Sequence, residues 1–143
     1  MSVNVLGVNN TLVATGGIAT IGRGLIDGRV KAMLDQYVIG GSAEVTGSTI
    51  TIGGTLPVGA NIVAIVLSVS AAQTSATFSA GDAGSATRYV SASTALQTAV
   101  TPLVISGKNY VVTGTSDTAI VLTTGGATLS AGTLYAAIFY TQD

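Results

Sequence analysis

The sequence predicts an all-β protein, a jelly-roll-like two-sheet β-sandwich with an extended N-terminal arm. Three observations carry this. From Ser42 onward, short β-rich runs are separated by Gly, Asp, Asn or Pro every eight to twelve residues, the rhythm of strands joined by turns. Some runs alternate cleanly: in Thr49-Ile50-Thr51-Ile52 the two Ile fall on one face and the two Thr on the other. The 143 residues are 48% hydrophobic and 8% charged, against about 25% charged in an average soluble domain. The polar surface is built from 21 Thr and 13 Ser instead. Such a chain has ample apolar surface to offset the entropy of ordering. No fixed-period repeat is present, which disfavours a solenoid or propeller.

Residues 1–24, MSVNVLGVNNTLVATGGIATIGRG, mix Gly with small and β-branched residues and read as an extended arm with little core of its own. Segment 25–39 is ambiguous. Ile26, Val30, Met33, Leu34 and Tyr37 fit helical spacing, but Gly28 interrupts it and the Tyr37-Val38-Ile39 end is β-rich before Gly40-Gly41. We read a strand over 30–39, and divide the chain into an arm with first strand, 1–41, and a sandwich domain, 42–143.

Within the domain, strands are expected at 43–46, 48–52, 61–70, 74–80, 87–91, 103–106, 109–113, 118–124 and 133–141. The run 62–67 is apolar without alternation, so both of its faces should be covered. Turns fall at Gly53-Gly54, Pro57 with Gly59, Gly81-Asp82-Ala83-Gly84, Ser106-Gly107-Lys108-Asn109, Gly125-Gly126 and Ala131-Gly132, where residues tolerate positive φ or fix it near −65°. Strands of this number and length suit a jelly roll or an immunoglobulin-like sandwich, and the runs alone leave both open. The C-terminal run Leu134 to Tyr140 is apolar on both faces, as a central strand or a strand packed on a neighbouring subunit would be.

The chain has neither His nor Cys. This removes Ser–His–Asp and Cys–His nucleophile systems, imidazole bases, thiolate and imidazole zinc sites, disulfides and CxxC redox chemistry. A net charge of −1 gives no footprint for nucleic acid or anionic lipid. The longest strictly apolar run, Ile62 to Leu67, has six residues, against the ~18–20 a spanning helix needs. No Lys or Arg precedes Arg23, so the N-terminus does not read as a secretory leader and we expect a soluble protein. Without a leader, the Asn9-Asn10-Thr11 glycosylation pattern reads as accidental.

The carboxylates Asp27, Asp35, Glu44, Asp82, Asp117 and Asp143 are scattered, mostly beside Gly or Ser in expected turns, where such side chains bond their own backbone. No aromatic-lined carboxylate pair of the glycosidase kind emerges, and Trp is absent. Asp82 and Asp117 offer a weak calcium possibility without a DxDxDG loop. The glycines at 22–24 and 81–84 match neither phosphate-cradle pattern. Arg88 is placed to pair with Asp82 across the 81–84 turn, and Tyr89 beside it reads as a core or interface aromatic. We therefore expect no enzyme: no catalytic, cofactor-binding or metal residues and no cofactor.

The succession Gly47-Ser48-Thr49-Ile50-Thr51-Ile52-Gly53, Leu56-Pro57-Val58-Gly59-Ala60, the β run 62–70, Gly81-Asp82-Ala83-Gly84-Ser85-Ala86-Thr87-Arg88-Tyr89 and the terminal SAGTLYAAIFYTQD resembles small structural proteins of tailed bacteriophage virions. The resemblance covers about residues 42–143. It implies a capsid decoration (cement) protein, a homotrimer that binds the major capsid protein on the outer surface of the head and braces the lattice. Such a protein is made in the host cytoplasm and takes no nucleic acid, membrane or small-molecule substrate. Low charge then suits a surface buried against copies and shell. The resemblance equally implies, as an alternative, a head-fibre, tail or neck component with a receptor- or glycan-binding role, against which the lack of Trp counts.

Overall fold

The computed structural model describes residues 30–40, 44–98, 102–113 and 118–142; the arm 1–24, Asp27, Asp117 and Asp143 lie outside them. Among the described residues are eight strands: β1 (Val30–Ile39), β2 (Thr49–Leu56), β3 (Asn61–Val69), β4 (Thr77–Asp82), β5 (Ser85–Ser93), β6 (Leu103–Val111), β7 (Thr118–Gly125) and β8 (Gly132–Thr141), with one 3-10 turn at Ala95–Gln97. They form two four-stranded antiparallel sheets, ordered β1-β8-β3-β6 and β2-β7-β4-β5. Every connection except the β4–β5 hairpin changes sheet. This is the jelly-roll order, which settles the choice the runs left open.

Segment 30–39 is a strand, paired over all ten residues with β8. Met33, Asp35 and Tyr37 point towards the second sheet, while Leu34, Gln36 and Val38 point away. Grouped with the arm in the sequence reading, this strand is an integral edge of the sandwich. The core between the sheets holds Ile50, Ile52 and Leu56 from β2; Ile62, Ile65 and Leu67 from β3; Phe78 from β4; Ile120 and Leu122 from β7; and Leu134 and Ile138 from β8. Gln73, fully buried, bonds the Ala71 and Ser130 carbonyls and accepts from the Ser130 N–H. It thereby locks the β3–β4 connection to the β7–β8 connection and leaves none of its amide unsatisfied.

Several expected boundaries need correction. Residues 44–48 are a turn and loop, so the strand expected at 43–46 is absent over its described part, 44–46, and β4 starts at Thr77 because residues 74–75 form a turn. Gly53-Gly54 is a bulge within β2: Gly53, at φ +68°, shifts the register between Ile52 and Leu56 and lets the strand run on to Leu56. Likewise the expected turn 106–109 lies within one continuous strand, β6. Positive φ at Lys108 and Asn109 absorbs the extra residues opposite β3.

The run 62–67 fails to alternate for a related reason. A bulge at Val63 shifts the phase, so that both Ile62 and Ile65 face the core. Its outer face is open in the single chain: Val63 is 39% exposed and Val66 is partly exposed. β8 lies in the interior of its sheet, between β1 and β3, and Tyr135 on its outer face is still 46% exposed.

Candidate interaction surface

The carboxylates do not converge. Asp35, on edge strand β1, accepts from the Gly53 N–H of β2 at 2.9 Å and from the Gln36 N–H at 2.8 Å, so it pins the two sheets together along one open side. Glu44 is buried and accepts the Tyr37 hydroxyl at 2.6 Å. That bond, then burial and the negative charge of Glu44, raises the Tyr37 pKa.

Asp82 is the hub of the densest polar cluster among the described residues. It ends β4, and the Ala83-Gly84 turn returns the chain at once as β5. One carboxylate oxygen accepts the Gly84 and Ser85 N–H groups at 2.9 and 3.1 Å. The other accepts Arg88 Nε at 2.6 Å and the Tyr89 hydroxyl at 3.1 Å. Burial alone would push this carboxyl up; the Arg88 guanidinium, the Gly84 N–H and the Tyr89 hydroxyl outweigh it and hold the pKa below the ordinary value. Burial first, then the charge of Asp82, pushes the Tyr89 hydroxyl far above its ordinary value.

The cluster extends across the sandwich. The Arg88 guanidinium lies 3.9 Å from the Tyr110 ring centroid, and Tyr89 meets Tyr110 edge to face at 6.3 Å. The β6 bulge carries Lys108 to within 2.7 Å of the Arg88 carbonyl. Asp82, Arg88, Tyr89, Tyr110 and Lys108 thus clamp β5 of one sheet to β6 of the other. The Arg88–Asp82 pair read from the sequence is present, and Tyr89 is a core aromatic, 4% exposed. The parts supplied by Tyr110 and Lys108 come from 20 or more positions away and had no local signal.

This cluster is chemically closed. Both Asp82 oxygens already accept donors, leaving a poor seat for a calcium ion, and Tyr89 stays protonated. Among the described residues, no three metal-ligating side chains come together and no helix is long and apolar enough to cross a membrane.

What the structure does offer is a surface. On the outer face of the β1-β8-β3-β6 sheet, register aligns Leu34, Ala137, Val66 and Val104 in one apolar row across all four strands. Leu34 is 79% and Val104 67% exposed. Flanking rows hold Gln36, Tyr135 and Ser68 on one side and Ala32, Phe139, Ala64 and Ser106 on the other. Every residue of these three rows is uncharged. Lys31 and Asp35, though in β1, point to the opposite side, towards Tyr140 and Gly53 respectively. A shallow depression of about 260 Å³ lies between Leu34, Val66 and Tyr135.

No family model and no curated protein matches the chain. Solved structures do. A chain in the capsid asymmetric unit of cyanophage Pam1 is 30% identical, over 81% of this chain and 86% of that one, with a TM-score of 0.64. A chain of the capsid of Ralstonia phage GP4 is 18% identical over 81% of this chain and 86% of its own length, at a TM-score of 0.67. One from the acidic stable capsid of Helicobacter pylori bacteriophage KHP30 is 15% identical over 78% and 86%, at 0.55. The last two share the fold.

Proposed function

Because the chain belongs to the family of bacteriophage capsid proteins represented in the cyanophage Pam1 capsid, we propose that it is a decoration (cement) protein that binds the outer head lattice and stabilises it. The observation that carries this reading is the likeness, in sequence and in shape, to a capsid component over four-fifths of the chain. The polar chemistry agrees: the densest cluster among the described residues is spent on holding two sheets together, and the exposed material is apolar sheet and hydroxyl-bearing side chains.

On this reading the protein works mechanically. Subunits assemble as an oligomer and sit on the major capsid protein. Each adds a modest contact area that multivalent attachment amplifies. The N-terminal arm contributes by adding a strand to an exposed sheet edge of a neighbouring subunit or of the shell, where backbone hydrogen bonds supply affinity without charge. Residues 1–22 carry no Asp, Glu, Lys or Arg, which suits that mode.

The test is removal and replacement on purified heads. Stripping the protein is expected to lower the temperature at which heads release DNA, and adding it back is expected to restore that temperature. A variant lacking residues 1–24 is expected to show reduced occupancy. Heads of equal stability with and without the protein, together with specific glycan-array binding by the isolated chain, would replace this reading with the fibre or tail alternative.

A further inference from the structure

We infer that the outer face of the β1-β8-β3-β6 sheet is the surface through which one copy of this chain meets another. The inference rests on the capsid reading for why copies are brought together, and on the geometry of the face for how they fit.

The argument starts from charge. All eleven residues of the three central rows are uncharged, so two such faces brought together bury no ion and suffer no like-charge repulsion. A polyanion, an anionic membrane or a charged protein surface would find no complementary group here. The partner that matches this face is another flat, apolar, hydroxyl-edged sheet, and the chain itself carries one.

Size comes next. Four strands at ~4.8 Å and about eight residues at ~3.4 Å give a face of ~19 by ~27 Å, or ~500 Å². Two copies would then bury ~1,000 Å² in total, the threshold of a specific interface and well short of a permanent one. The shape is favourable too. The row Leu34, Ala137, Val66, Val104 places large side chains at its ends and a small one within it, so ridges of one copy can seat in the 260 Å³ depression beside Leu34 and Tyr135 of another. Contact of this area gives a reversible association in solution that a lattice would reinforce.

The experiment is sedimentation of the 143-residue protein over a concentration series. The wild type is expected to move from its 14.0 kDa monomer to an oligomer as concentration rises into the tens of micromolar. Leu34→Glu, on β1, and Val104→Glu, on β6, are each expected to weaken that association at least tenfold. Both sites are solvent-exposed, so both variants should melt within a few degrees of wild type, and either one alone suffices for the test. Val58→Glu, in the β2–β3 turn away from the face, is expected to leave the association unchanged.

Three results would overturn the inference: a wild type that stays monomeric up to the millimolar range, folded Leu34→Glu and Val104→Glu variants that associate like wild type, or an association abolished by deleting residues 1–22 alone, which would make that segment the occupant. A wild type that associates through this face yet ignores purified heads would support the interface and contradict the decoration reading.

Discussion

Replacing Asp82 with Asn changes one carboxylate oxygen to an amide and leaves the volume nearly unchanged. The acceptor that serves the Gly84 and Ser85 N–H groups survives as the amide oxygen. Its partner becomes an NH₂ facing Arg88 Nε at 2.6 Å and the Tyr89 hydroxyl at 3.1 Å. The hydroxyl can turn and accept; the guanidinium cannot, so one charge-assisted hydrogen bond becomes a donor–donor contact. Such a bond is worth about 1.5–3 kcal/mol. The Asp82 side chain is 3% exposed, but that of Arg88 is 26% exposed, so its charge recovers part of its hydration. We expect a loss of about 2–3 kcal/mol, which lowers the melting temperature by roughly 8–12 °C in a domain of this size.

The pH dependence sharpens the test. The folded-state pKa of Asp82 lies below the unfolded value, which is about 3.9. Its contribution is therefore complete above pH ~4 and is lost as pH falls through the lower, folded value. Scanning calorimetry of wild type and Asp82→Asn between pH 7 and pH 2 should show a constant gap down to about pH 4 that closes below it. A gap under 2 °C at pH 7, or one that persists unchanged at pH 2, would refute the role given to this cluster.

Phe78→Ala empties the largest fully buried side chain of the core and should cost about 3–5 kcal/mol, read as a lower urea midpoint. Gly107→Ala would set a Cβ 2.2 Å from the Ile62 carbonyl oxygen. It should force β6 away from β3 at a cost of about 3 kcal/mol, with faster amide exchange confined to those strands. Tyr37→Phe removes the 2.6 Å bond to Glu44 and should cost about 1–2 kcal/mol at neutral pH. Because that bond, with burial, raises the Tyr37 pKa above its unfolded value of about 10, the contribution is full below pH ~10 and is lost as pH rises towards the folded value. The gap between the two proteins in alkaline melting curves should close accordingly.

What could be read before the structure was local. Thr49-Ile50-Thr51-Ile52 declares its two faces through neighbouring residues, and Asp82 and Arg88 are close enough along the chain for one turn to bring them together. Glycine was harder to interpret. At positions 53 and 107 it marks bulges within continuous strands, and a bulge and a turn demand the same residue; which one forms depends on whether a partner strand continues alongside. The outer face of β3 carries apolar residues that the single chain leaves open: Val66, and Val104 beside it on β6, face outwards in the monomer, and sequence alone does not say what covers them. Gln73 with Ser130, and Arg88 with Tyr110, meet across long sequence separations and carry no signal until the sheets are stacked.

Cryo-electron microscopy of the intact particle tests the placement on the head most directly. Density for this jelly roll is expected at regular positions on the outside of the icosahedral shell, with the β1-β8-β3-β6 sheets of adjacent copies facing one another. Density confined to the neck, tail or fibres, or a shell that carries no copy of the chain, would contradict it.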